Sequence, residues 1–419
     1  MKAMAMAVAL AAGSAAASTT TQASTIAHYD IHAHFDLQSK TVEGETIITL
    51  PPEEAGRSAE FVLSDRIKVR KADGGRSARV SIAPTDQPYK GLNKITFTFD
   101  RVPTHPVVLR FSYAGTLDWD KGLRIDPRDG VELSLEDMWV PLRPDFGLLF
   151  TADADLSGIA PDAIAVGQGE LRRKGDHIRI HRAFPDWDMP FAALSGLKVI
   201  HTADAEIYSR NPDGPLESAL QRDAAAIVAY YTRLFGPPPP HSMPERVVIL
   251  PRQGRAYTRR AYVCLSDPTE ELKKLGDVEE WRLIASTAHE FAHAWWFSGS
   301  PFTENNWLNE SMAEYSSLRF TEAFAGAAAL KYRLDRKIEA ARTAGSVIGH
   351  GRLGKAVLYQ KGPVLLFELD TQIGRASMDR FLAALGREPL RTTEQFLATL
   401  SNIAGPDVAH DFQAKLSAE

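Results

Sequence analysis

Cysteine is almost absent from this 419-residue chain. The single Cys264 excludes an intrachain disulfide, and its place far from the N-terminus excludes a lipid-anchored cysteine at a processed end. It lies in the apolar run Ala261-Tyr262-Val263-Cys264-Leu265, where a small core residue is expected rather than a nucleophile or a ligand. Long apolar runs are missing too. Beyond the N-terminal leader no segment approaches about 18 uninterrupted apolar residues, so no transmembrane helix is expected. Nor does one charge dominate. Lys and Arg number 48 against 53 Asp and Glu, a formal net charge of -5 that gives no reason to expect a nucleic-acid partner or an anionic membrane surface. No repeat of about 20–50 residues is visible. With 44% hydrophobic and 24% charged residues, the composition is that of an ordinary globular protein, long enough for about two or three domains.

The first thing present is a leader. Met1-Lys2 is followed by AMAMAVALAAG, then by small residues with an Ala-x-Ala site at Ala15–Ala17. A charged start, an apolar stretch and a small-residue cleavage site predict a signal peptide over residues 1–17, and hence a protein exported to the periplasm or secreted. Residues 18–205 read as a β-rich domain. Tyr29, Ile31, Ala33 and Phe35 alternate with Asp30, His32, His34 and Asp36, the pattern of a half-buried strand that turns both histidines to solvent. Further strands are expected at 45–50, 60–64, 93–99 and 106–115, with turns at 72–75 and 83–86. A hairpin is expected over 171–182, turning at Lys174-Gly175-Asp176. Near residue 205 the pattern changes. Residues 211–236 read as an amphipathic helix, 246–251 and 260–266 as strands, and the remainder as helices at 277–298, 306–324, 326–343, 359–373, 376–386, 392–403 and 406–417. The prediction is an α+β chain: a β-rich N-terminal domain, then a mainly helical domain with a small sheet over 206–419.

The chemistry concentrates in the helical part. His289-Glu290-Phe291-Ala292-His293 lies in a run free of Gly and Pro, with Asp277 and Glu280 as a possible capping box. On a helix His289 and His293 stand one turn apart on one face, so both imidazoles reach a single ion, with Glu290 beside them as a base for an attacking water. A catalytic zinc takes three protein ligands and keeps one position open. The next helix offers Glu310 and Glu314, four residues apart on one face. One can be the third ligand while the other accepts a hydrogen bond from a ligand histidine and fixes its tautomer.

HEFAH followed by Trp307-Leu308-Asn309-Glu310-Ser311-Met312-Ala313-Glu314-Tyr315 resembles the family M1 zinc aminopeptidases, gluzincins with a thermolysin-like catalytic domain. Tyr359-Gln360-Lys361-Gly362 resembles the same family's Tyr-x-Lys-Gly. The resemblance implies zinc bound by His289, His293 and Glu310, with Glu290 as general base. It further implies that Glu314 hydrogen-bonds a ligand and that Tyr359 donates to the oxyanion. The N-terminal strands and the C-terminal helices resemble the family more loosely. The chain stops before the later domains of typical members, so a short form is expected.

This sequence departs from the family in three places. Ser311 replaces the usual glycine. Sixteen residues, 294–309, separate His293 from Glu310, where the family has about eighteen, a difference the loop 298–305 can absorb. The family's Gly-x-Met-Glu-Asn, whose glutamate binds the substrate's α-amino group, is replaced by Gly254-Arg255-Ala256-Tyr257-Thr258. Asp267, Glu270 and Glu271 are candidate substitutes for that glutamate. A zinc peptidase acting on peptides is therefore expected, most simply an aminopeptidase. An endopeptidase or other peptide hydrolase using the same metal chemistry is a second possibility, and a non-catalytic peptide-binding protein a third.

Overall fold

A computed structural model describes residues 26–117, 129–252, 254–269, 272, 280–349 and 351–419. The predicted leader, Asp277, Glu270 and Glu271 lie outside the described residues.

The first half is built from strands. A seven-stranded sheet runs in the order Glu170–Lys174, His177–Asp186, Phe150–Ser157, Ala27–Asp36, Thr41–Leu50, Val107–Thr116 and Ile67–Asp73. In strand 27–36, Tyr29, Ile31, Ala33 and Phe35 are buried while His32 and His34 are exposed, as the alternation predicts. His32 pairs with Asp30 and His34 with Ser157. A three-stranded sheet, Ser58–Ser64, Leu92–Phe99 and Ala78–Thr85, packs against this one, and Phe61, Phe97 and Phe111 meet edge to face between them. The turn expected at 83–86 is mostly strand. Pro84 stands opposite Asn93 on an edge strand, where its missing N–H removes no ladder bond. The hairpin turns at residues 175 and 176 as expected.

The second half carries a five-stranded sheet in the order Lys198–His201, Glu206–Ser209, Arg246–Leu250, Tyr262–Ser266 and Tyr257–Arg259. Around it lie seven helices among the described residues: α1 (Pro215–Phe235), α2 (Glu280–Ala292), α3 (Trp307–Ala341), α4 (Gly362–Ile373), α5 (Arg375–Leu385), α6 (Thr393–Ala404) and α7 (Pro406–Ser417). The chain is α+β, β-rich first and mainly helical afterwards. Each half has its own apolar core, and a smaller cluster with Leu194, Val248, Tyr262 and Cys264 joins them. Cys264 is fully buried, as a core residue should be.

Two helix boundaries matter for the site. α2 ends at Ala292, six residues before the expected 298. The Nδ1 of His293 bonds the carbonyl of Trp296, and the indoles of Trp295 and Trp296 turn inward to the Gly236 carbonyl and the Ser316 hydroxyl. Past Ala292 the backbone tightens to turns in which the N–H groups of His293, Ala294 and Trp295 donate three residues back, and those side-chain contacts hold it there. α3 runs through both predicted helices but breaks at Gly326, whose φ of 82° only glycine adopts freely. Its second limb folds back along the first.

Candidate active site

α2 and α3 pack side by side and bring three metal-capable side chains together. The nearest ring nitrogen of His289, Nε2, is 3.5 Å from Oε2 of Glu310, and Nε2 of His293 is 3.7 Å from the same oxygen. Among the described residues, this is the one group of three His, Cys, Asp or Glu whose ligand atoms lie within 4.8 Å of one another. Two tetrahedral zinc ligands with bonds of about 2.1 Å stand about 3.4 Å apart. The donor set fits that ion in type and in spacing, and three protein ligands leave a fourth position open.

The tautomers are set from behind. Nδ1 of His289 is 2.8 Å from Oε2 of Glu314, and Nδ1 of His293 is 2.8 Å from the Trp296 carbonyl. An N–H on each Nδ1 satisfies those acceptors, so that when the rings are neutral, as metal ligands must be, each Nε2 lone pair faces Glu310. Glu314 is held in turn by two cations, with Nη2 of Arg333 and Nζ of Lys337 each 2.7 Å from its Oε1. Burial works against the charge on Glu314, but Lys337 and Arg333 outweigh it and hold the carboxyl well below the usual carboxylate range. Burial likewise opposes charge on His289. Its hydrogen bonds to Glu310 and Glu314 prevail, raising its pKa from 6.5 to about 10. Glu310, buried against the two histidines, is lowered from 4.5 to about 2 by the opposite balance.

Glu290 is buried at the floor of a cleft of about 890 Å³ that also exposes His289 and Tyr359. The hydroxyl of Thr258 donates within reach of both its backbone carbonyl, at 2.9 Å, and its Oε2, at 2.8 Å. Strand 257–259 supplies that hydroxyl by simple alternation. Tyr257 and Arg259 point the other way and anchor in the β-rich half, to Glu132 at 3.1 Å and Asp188 at 2.7 Å, so Thr258 faces α2.

Tyr359 sits in a wide π-type turn, Val357–Lys361, that leads into α4. Its ring lies 5.7 Å from that of His289. Burial, followed by the negative charge of Glu310, pushes the phenol far above its ordinary pKa, so it remains a hydrogen-bond donor. A π-type turn frees backbone groups, and two side chains of α3 meet them. Ser311 donates to the Leu358 carbonyl at 2.7 Å, and Lys337 donates to the Tyr359 carbonyl at 2.8 Å.

All six residues singled out in the sequence are thus brought to one place. Thr258, Arg333 and Lys337 were not foreseen. Arg333 and Lys337 read as ordinary surface charges of a helix, and the one hint was a basic pair at i,i+4 without an acidic neighbour on that face. The proposed substitutes for an amine-binding carboxylate fare differently. Oδ1 of Asp267 accepts from the backbone and hydroxyl of Thr269 at 2.9 and 2.5 Å, and Glu270 and Glu271 lie outside the described residues.

No protein-family model matches the chain, and no curated protein matches it in sequence. Solved structures do match it in shape. Leukotriene A4 hydrolase from Saccharomyces cerevisiae superimposes with a TM-score of 0.74 at 15% identity, over 94% of this chain and 68% of that one. An M1 zinc metallopeptidase from Deinococcus radiodurans gives 0.65 at 18% identity over 93% of each chain. A variant of that bacterial enzyme, bound to the substrate Tyr-Ser-Ala, gives 0.65 at 17% identity over 94% of each. At such identities the likeness is one of fold, and it spans both halves: this chain folds as M1 zinc metallopeptidases do.

Proposed function

We propose that this chain is a zinc-dependent metallopeptidase that hydrolyses peptide bonds. The observation that carries the proposal is the convergence of His289, His293 and Glu310, with His289 opening onto the cleft that Glu290 and Tyr359 also line. Zinc held by those three ligands would supply Lewis acidity toward a carbonyl and toward an attacking water. Glu290, oriented by Thr258, is placed to take the water's proton and pass it to the leaving amine. Tyr359 offers its hydroxyl to the developing oxyanion. Glu314 fixes the proton of His289 on Nδ1 so that Nε2 is free to ligate.

The finer form of the proposal is an aminopeptidase acting on free peptide N-termini, as the sequence resemblance implies. The bacterial neighbour holds a short peptide, Tyr-Ser-Ala, as its substrate. A specific observation favours a second form, a cut that needs no free amine. At the position of the family's amine-binding glutamate stands Tyr257, bonded away to Glu132, and Asp267 is engaged by Thr269. The proposal also includes export after removal of residues 1–17 and a catalytic unit that begins near residue 206.

Elemental analysis of gently purified protein, joined to hydrolysis of matched free and N-acetylated peptides, tests these readings together. Bound zinc with rejection of acetylated peptides is the expected aminopeptidase result. Equal cleavage of both selects the second form. Zinc-free protein without turnover overturns the enzyme and leaves a non-catalytic peptide binder.

A further inference from the structure

The cleft beside Glu290 is lined by more charge than the reaction uses, and most of that charge is engaged. Arg333 is held by Glu314, Arg252 by Glu132 and Glu136, and Arg282 stacks on Trp281 and Tyr332. The carboxylates are engaged as well: Glu314 by His289, Arg333 and Lys337, Asp267 by Thr269, and Glu290 by Thr258. Arg255 is different. It is exposed, and among the described residues no carboxylate pairs with its guanidinium. It is not loose, because its Cζ lies 4.8 Å from the centre of the Tyr359 ring. The Tyr359 hydroxyl is the group expected to meet the reacting carbonyl, so a fixed cation stands where the neighbouring part of a substrate must pass.

We propose that Arg255 is a specificity-determining residue that selects peptides carrying a carboxylate next to the scissile bond. This rests on the peptidase reading above. A planar guanidinium offers paired N–H donors that match a carboxylate, and it repels an ammonium. The described cleft offers no free carboxylate to receive a substrate amine, so its unpaired charge selects the opposite sign. An acidic side chain and a free C-terminal carboxylate share this chemistry.

The test uses zinc-loaded full-length protein and three peptide pairs: Glu against Gln on each side of the cleaved bond, and a C-terminal acid against its amide. kcat/KM should favour the carboxylate member of at least one pair by about five- to tenfold, and the pair that responds identifies the source. In Arg255→Gln that ratio should collapse toward one, and Arg255→Lys should retain part of it. The same pairs are measured for binding to Glu290→Gln protein with and without Arg255→Gln, which needs no turnover. A wild-type ratio near one in every pair overturns the inference, as does an equal loss on both members of a pair in Arg255→Gln. If no peptide is hydrolysed, the peptidase reading falls, and the binding ratio still decides the role of Arg255: carboxylate and neutral peptides bound equally would overturn it too.

Discussion

The ammonium of Lys337 lies 2.7 Å from the carboxylate of Glu314, although the two residues are 23 positions apart on the two limbs of α3. A straight helix would separate them by about 35 Å. The break at Gly326 makes the contact, and with it the support behind His289. The same ammonium donates to the Tyr359 carbonyl, so one cation braces both the ligand helix and the turn that carries the tyrosine.

Lys337→Met should therefore weaken the protein and blunt its activity together. Arg333 remains on Glu314, so the stability loss should be modest for a buried charge, about 1–3 kcal/mol. Thermal denaturation with and without zinc measures it. A variant as stable and as active as wild type would show that the contact contributes nothing.

Glu290→Gln should keep zinc at one equivalent and lose turnover by a factor on the order of 10²–10⁴. Tyr359→Phe should lower kcat by a similar factor, on the order of 10²–10³, with little change in KM, because in the proposed reaction its bond to the substrate forms only as charge develops. A Tyr359→Phe effect confined to KM would assign the ring to ground-state binding instead.

Metal binding should release a proton. His289 in the metal-free protein has its pKa raised to about 10, so it is protonated at pH 7–8, whereas a zinc ligand must be neutral. Calorimetric titration of zinc in buffers of different ionisation enthalpy should return about one proton per ion. The same shift fixes a sign for stability. The folded pKa lies above the ordinary 6.5, so the stabilisation from this group in metal-free protein is complete below pH 6.5 and is lost as pH rises toward 10. Glu310, lowered to about 2, contributes above pH 4.5 and loses its contribution as pH falls toward 2.

Gly362 has no room for a side chain. A Cβ there would lie 2.0 Å from the Ser311 hydroxyl oxygen. Gly362→Ala should cost about 1–3 kcal/mol and reduce activity by displacing Tyr359. Ser311→Gly removes the clashing atoms, so the double variant Ser311→Gly/Gly362→Ala should recover much of that loss. Strictly additive losses in the double-mutant cycle would refute the contact.

Local pattern was enough for much of this protein. Alternation fixed which face of strand 27–36 is buried, and the i,i+4 spacings put His289 with His293 and Glu310 with Glu314 on shared faces, because those periods are properties of the backbone itself. Both signals are local in sequence, and the structure respects them. What needed the tertiary fold was every relation between elements. α2 stops short because His293 and two tryptophans find partners outside the helix. Thr258 reaches Glu290 from a strand 32 positions away, and Arg333 and Lys337 come to Glu314 through a fold-back at one glycine. Arg255 became informative only once its neighbours in the cleft could be counted, since whether a charge is paired depends on the residues folded around it. The sequence determined which groups could do chemistry. Packing decided which of them hold one another in place and, among the described residues, which charge of the cleft has no carboxylate beside it.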